Sequence, residues 1–421
     1  MIQVGAAVEP LGITSPATMS GFAARTEPST GEHDELGARA LAMGKIVLIA
    51  IDVCALEEST CRAIAEGVQP EAPEQVIVTA THTHAGPATT PTRLTRSTSD
   101  VEQQVVQAAI AAGAAASVAR RPCAVEYREA RSVGIASNRR HAGRPVDPLV
   151  QMLRFTASSN EDGTRPAEVV ASLLTYPCHP VVLDGTNRLL SGDYAHPLRE
   201  RIESEHPGSV AVFATGCAGD INTGHRAEAS YSLTAATTRT FAEAERVGTR
   251  IADAILTSEA MPAGALPSVL VPIPITLDFD RPSPEQLAAN ATEWTRDLGS
   301  AEPGLAALLG IWLDWAADVP ELANWTGRVS AFRLGEVTVV ALPGEPFLDV
   351  ADQIRAQIEG PCLVLGYADG CPGYFPTAAE YPYGGYEVED AHRYYGMPGP
   401  FAAGSAEILI QKAVVACRAV G

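Results

Sequence analysis

The sequence contains no run of about 18 uninterrupted apolar residues, so no segment is expected to cross a bilayer as a helix. Basic charge is scarce: 30 Lys and Arg stand against 50 Asp and Glu, for a formal net charge of −20. Such a chain repels phosphate backbones and anionic lipid surfaces, which argues against a nucleic-acid partner and against stable membrane insertion. The acidic residues are spread out, as on a solvated surface. Cys-x-x-Cys spacing is absent from the eight cysteines, Cys54, Cys61, Cys123, Cys178, Cys217, Cys362, Cys371 and Cys417. Several lie in or beside apolar strands, where a thiol behaves as a small hydrophobe. No disulfide framework is expected, and the compartment is a reducing one. The start, Met1 to Pro10, lacks the basic and long apolar regions of a secretory signal. A cytoplasmic location follows as the expectation. Internal repeats and low-complexity linkers are also missing, so residues 1–421 read as one domain, compatible with a homo-oligomer.

What is present is a globular composition, 46% hydrophobic and 19% charged. Apolar β-branched runs mark buried strands at Ile46–Asp52, Val76–Ala80, Val169–Thr175, Val210–Thr215, Val329–Leu334, Val337–Leu342 and Cys362–Tyr367. Residues 1–44 read as mostly irregular until a strand begins near Glu35. Helical patterns cover 57–67, 101–119, 241–256, 347–358 and 402–418. The fold class expected is α/β, a mixed β-sheet core flanked by helices, with an inserted helical lobe over 277–328. That lobe carries Trp294, Trp312 and Trp315, with Trp325 at its end. It reads as a buried helical hairpin, or alternatively as a lid over an apolar pocket.

Polar residues cluster where the strands end. Val76–Ala80 runs into Thr81-His82-Thr83-His84-Ala85-Gly86-Pro87, and later strands run into His179, Asp220 and Asn222, Glu345, and Tyr374. In open α/β sheets chemistry collects past the strand ends. Two imidazoles and a carboxylate are the usual ligand set of a catalytic zinc with an open position. Such a zinc lowers the pKa of bound water to roughly 7. A base and an oxyanion donor are then needed, and Arg139, the second histidine and a tyrosine could supply them. The bland alternative is a pair of loop histidines bonded to backbone or water. His33, His141, His196, His206, His225 and His392 read as structural, with His225 the one closest to the Gly-Asp loop. Asp52 and Asp220 either orient imidazoles or cap loops.

Six motifs, in order, resemble those of the neutral, non-lysosomal ceramidases, a family of zinc-dependent amidases. Thr81 to Pro87 is similar to the family's Thr-His-Thr-His-Ser-Gly-Pro, and Asn138-Arg139 to its Asn-Arg-Ser. Cys178-His179 with Ser191-Gly192-Asp193 resembles its His-Gly-Thr and Ser-Gly-Asp pair. Gly219-Asp220-Ile221-Asn222 resembles Gly-Asp-Val-Ser, and Gly344-Glu345 resembles Gly-Glu-Phe. Tyr374-Phe375-Pro376-Thr377, Glu380-Tyr381 and Tyr386-Glu387 resemble the tyrosine-loop motifs. The resemblance implies that His82, His179, Glu345 and Tyr374 hold Zn2+. It places His84, Arg139 and Tyr386 around a scissile carbonyl attacked by metal-activated water.

Departures are as informative. Asn222 stands where the family has serine, so no serine nucleophile is available there. Ala85, Pro346 and Val388 also differ from the pattern, and a short form lacking the C-terminal β-sandwich of larger relatives is expected. The expected function is hydrolysis of the amide bond of an N-acyl small molecule. A zinc esterase or lactonase using the same site is the alternative, and a non-catalytic binding protein is a further one.

Overall fold

The computed structural model describes residues 1–158, 167–226, 231–264 and 269–421. The largest sheet has nine strands. Eight follow the order Val210–Thr215, Glu168–Tyr176, Val150–Ala157, Arg121–Ala130, Ile2–Pro10, Gly37–Met43, Ile46–Ile51 and Val76–Ala80. Met261–Pro262 pairs onto Arg121–Ala130. Pairing is parallel at the two ends of this path and antiparallel between them. The sheet is therefore mixed, in agreement with the sequence.

A second sheet joins Val271–Leu277, Trp325–Leu334, Val337–Ala341 and Cys362–Leu365. The sequence did not separate these strands from the first sheet, because each reads as the same kind of apolar run. Side-chain alternation explains the arrangement. Along Ile46–Ile51, Ile46, Leu48 and Ala50 enter one core, while Val47, Ile49 and Ile51 enter another. The first core lies between the sheets, where Leu48, Ile77 and Leu153 meet Phe332, Val339 and Leu363. Each such side chain contributes about 1.5–3 kcal/mol through burial. Helices Glu58–Val68 and Ser99–Val118 cover one patch of the large sheet's outer face. Ala195–Glu205 and Phe241–Leu256 cover the other. Leu348–Arg355 and Ser405–Val420 cover the small sheet. The layers run helix, sheet, sheet, helix.

The first 44 residues correct the sequence reading. Ile2–Pro10 is a nine-residue strand in the middle of the large sheet. Its Gly, Ala and Pro content hides it, since those residues have poor β-propensity. Packing accounts for the small residues: a Cβ on Gly5 would lie 2.2 Å from the Ala116 carbonyl oxygen of the overlying helix.

Between the paired strands Val271–Leu277 and Trp325–Leu334 the chain leaves the sheet as two helices, Pro284–Leu298 and Pro303–Ala317. The first opens with a capping box, in which Ser283 and Gln286 satisfy each other's backbone N–H groups. Arg393 plugs this pair onto the rest of the molecule. Its guanidinium sits 4.5 Å from the Trp312 ring centre, 4.7 Å from Trp294 and 5.9 Å from Trp315. A desolvated cation–π contact contributes about 2 kcal/mol. Replacing Arg393 with alanine is therefore expected to speed amide hydrogen exchange in both helices by about tenfold or more. Unchanged exchange there would show that the cage does not hold the lobe.

Candidate metal centre

The site forms where the two edges of the large sheet meet the small one. Thr215, at the end of one edge strand, donates its hydroxyl to the Thr81 carbonyl beyond the other edge, at 2.7 Å. The segment after Cys362–Leu365 threads between them. Gly366 N–H bonds Thr215 O at 2.9 Å, Ala80 N–H bonds Tyr367 O at 3.2 Å, and Asp369 N–H bonds Val78 O at 2.7 Å. Residues that are remote in the chain are thereby held by backbone hydrogen bonds.

His82 takes φ +64°, a left-handed conformation that costs a non-glycine residue about 1–3 kcal/mol. The kink turns its ring inward. Nδ1 donates to the Cys54 carbonyl at 2.6 Å. His179 Nδ1 donates to the Ala218 carbonyl at 2.6 Å. Asp193, in the Ser-Gly-Asp motif, anchors the loop after His179 by accepting from the N–H groups of Val182 (3.2 Å), Leu183 (2.9 Å) and Tyr194 (2.7 Å). A carbonyl can only accept, so both Nδ1 atoms carry a proton, and in the neutral rings both Nε2 atoms present lone pairs. Those lone pairs face Glu345 Oε2, at 2.9 Å from His179 and 3.3 Å from His82.

Three buried lone pairs aimed at one another repel unless a cation or a shared proton lies among them. The charge balance says the same. Burial penalises a charged His82, yet Glu345 and Cys54 beside it lift its pKa to about 10. Burial and then Arg139 lower the His179 pKa to about 4. Glu345 is held well below the usual carboxylate range despite its burial, chiefly by His82 and His179. The pocket thus asks for one positive charge, and its two nitrogens and one carboxylate oxygen are the donor chemistry that suits zinc.

Tyr374 stands beside Glu345, since the two are direct partners in the short parallel pairing of Glu345–Pro346 with Tyr374–Phe375. The Tyr374 hydroxyl oxygen accepts from Arg139 Nη2 at 3.1 Å, and Arg139 Nε donates to Glu387 at 2.8 Å. The Tyr386 ring lies 5.9 Å from that of Tyr374 and is half-buried. His84 Nε2 is 3.2 Å from His82 Nε2, while its Nδ1 is buried without a partner. Burial first, and then His82 and His179, hold the His84 pKa well below its ordinary value. The structure therefore gathers His82, His84, His179 and Glu345 at one point, with Tyr374, Arg139 and Tyr386 grouped on its flank.

Other contributors were not legible beforehand. Gly21, at φ +102°, lets the chain pass so close to His84 that a Cβ would sit 2.5 Å from the ring. Phe22 meets the same ring edge-on at 5.0 Å. Arg25 donates to the His84 carbonyl at 2.7 Å. All three lie in the stretch that read as irregular, where no periodicity marks them. Asp52 and Asp220 take the structural role: Asp52 pairs with Arg199, and Asp220 accepts from Asn138 Nδ2 and Leu348 N–H, both at 2.8 Å. Asn222 braces its own loop, bonding the His225 carbonyl at 2.6 Å and the Gly224 N–H at 2.8 Å.

Residues 4–238 match the sequence family described as neutral/alkaline non-lysosomal ceramidase, N-terminal. The chain belongs to this family. Its fold resembles two solved ceramidase structures. One is the neutral ceramidase from Pseudomonas aeruginosa, with a TM-score of 0.71, 15% identity, and coverage of 100% of this chain and 75% of that one. The other is described as ceramidase complexed with C2, with a TM-score of 0.72, 16% identity, and coverage of 99% and 75%. No curated protein matches the chain. Ceramidase-family membership supports a hydrolase acting on an amide bond, and the family's metal dependence fits the cluster of His82, His179 and Glu345. Among the described residues no helix is long and apolar enough to cross a membrane.

Proposed function

We propose that this ceramidase-family protein is a zinc-dependent amidohydrolase that cleaves the amide bond of an N-acyl small molecule. The observation that carries the proposal is the convergence of His82 Nε2, His179 Nε2 and Glu345 Oε2, with both Nδ1 protons fixed on carbonyls. Tyr374 is the fourth proposed ligand. Burial and Glu345 push the Tyr374 phenol up, and Arg139 donating to its oxygen works against them, toward the phenolate form that a metal takes. The eight unpaired, buried cysteines support a cytoplasmic working place. We read the chain as one catalytic domain in which the tryptophan-bearing helical pair is an insertion.

A zinc ion held by this set would polarise a carbonyl and lower the pKa of water to roughly 7. The protein's own groups do the rest. In this reading Arg139 and Tyr386 hold the carbonyl oxygen as negative charge develops on it. Arg139 is itself held by Glu387, so its guanidinium is aimed before substrate arrives. His84, whose Nε2 lies 3.2 Å from His82 Nε2, then passes a proton to the leaving amine.

The test is a panel of N-acyl amides, ceramide included, against matched esters and lactones, with and without chelator. Chelator-sensitive amide cleavage is the expected result. Turnover of esters or lactones alone would replace the amidase with an esterase or lactonase, and no turnover by zinc-loaded protein would leave a binding protein. Tyr386→Phe is expected to lower kcat about 100-fold, the loss typical of one oxyanion donor, with KM and zinc content little changed. A kcat within threefold of wild type would remove Tyr386 from the carbonyl.

A further inference from the structure

Glu345 is gripped by more than its two histidines. The Tyr395 hydroxyl donates to Glu345 Oε1, and the Tyr367 hydroxyl lies 3.5 Å from Oε2. Tyr395 is 3% exposed and Glu345 is fully buried. The two carboxylate oxygens are therefore not equivalent: Oε2 faces both imidazole nitrogens, and Oε1 is occupied by a phenol. A buried carboxylate with one oxygen tied in this way cannot swing to present both to a cation.

The anchoring of Tyr395 is equally specific. Its N–H closes onto the Ala391 carbonyl at 3.0 Å. Two residues earlier, Arg393 fills the cage of Trp294, Trp312 and Trp315. Two residues later, the Met397 carbonyl accepts the Trp315 indole N–H at 2.8 Å. The inserted helical pair thus clamps the chain on both sides of this one tyrosine.

We propose that Tyr395 is a positioning residue of the metal centre, holding Glu345 to single-oxygen ligation from a segment that the helical insertion clamps in place. The proposal rests on the metal-centre reading of His82, His179 and Glu345. It gives the insertion a task other than closing over substrate: it sets the geometry of a ligand through Met397, Arg393 and Tyr395.

The experiment measures zinc affinity by competition with a chromogenic chelator for wild type, Tyr395→Phe, Tyr394→Phe and Trp315→Phe. Folding of each metal-free variant is checked by circular dichroism. Loss of a hydroxyl that supports a metal ligand typically weakens binding 10- to 100-fold, and that is expected for Tyr395→Phe. Tyr394→Phe loses a hydroxyl that bonds Thr95 at 3.0 Å, and is expected to bind zinc within threefold of wild type. Trp315→Phe breaks the clamp without touching the site, and is expected to weaken zinc threefold or more. Wild-type affinity in folded Tyr395→Phe, or equal losses in both tyrosine variants, would overturn the positioning role. Wild-type affinity in Trp315→Phe would overturn the clamp. Failure of amide cleavage by a tightly zinc-loaded wild type would count against the proposed reaction only, whereas a wild type that does not bind zinc would overturn both.

Discussion

Replacing His179 with alanine is expected to abolish zinc binding and to lower amide cleavage about 1000-fold or more. A catalytic metal supplies several kcal/mol of transition-state stabilisation, and each 1.36 kcal/mol is a factor of ten in rate. His179 is fully buried, and its Nε2 is the nitrogen nearest Glu345 Oε2, at 2.9 Å. Its loss leaves Glu345 Oε2 facing one imidazole nitrogen instead of two. Chelator treatment of wild type is expected to give the same loss, reversed by added zinc, while the variant stays inactive after add-back. Metal content by mass spectrometry and kcat/KM on the best amide substrate are the two readouts. A variant that keeps a full zinc complement and activity would remove His179 from the centre.

The second large effect concerns stability. Asp52→Ala is expected to cost about 3–5 kcal/mol, the penalty for leaving one partner of a buried ion pair alone. Asp52 and Arg199 are each 1% exposed and joined by two hydrogen bonds, at 2.6 and 2.9 Å. The carboxylate also accepts from Gly37 N–H at 3.1 Å and the Thr81 hydroxyl at 3.2 Å. It therefore braces the residue before His82 as well as the helix Ala195–Glu205. Combining the change with Arg199→Leu is expected to recover much of the loss, because a well-packed apolar pair often replaces a buried ion pair without cost.

The pH dependence has a definite sign. Burial raises the Asp52 pKa, but Arg199 and then Arg39 outweigh it and hold it below the usual value. A depressed carboxylate pKa contributes stability that is complete above the unfolded value of about 3.9 and is lost as pH falls through the folded one. Wild type is expected to lose this contribution below about pH 4, and Asp52→Ala to lack that component of acid sensitivity. Denaturant melts at pH 7 and through the acid range check both statements. A loss under 1 kcal/mol at pH 7 would show that the pair is not braced as described.

Strands buried on both faces, such as Ile46–Ile51 and Val76–Ala80, are apolar at almost every position, with Thr79 the exception, its hydroxyl bonded to the Gly366 carbonyl, so composition alone marks them. The polar residues that follow them stand out for the same reason. His82, His84, His179 and Glu345 were visible in this way, and the motif order pointed to Tyr374, Arg139 and Tyr386. Ile2–Pro10 was not visible, because its Gly and Ala are chosen by the helix that packs on it and not by strand propensity. Tyr395 lay unmarked in a tyrosine-rich loop, since nothing local separates a tyrosine on Glu345 from one on the pocket wall.

By itself the sequence determined the α/β class, the buried strands and the residues that end them, because those follow from burial and local propensity. Only the tertiary structure decided which carbonyl accepts from the Nδ1–H of each imidazole, which oxygen of Glu345 faces them, and that two sheets stack. Those outcomes depend on hydrogen bonds between positions scores of residues apart, such as Cys362–Asp369 threading between Val76–Ala80 and Val210–Thr215, and no local pattern encodes them.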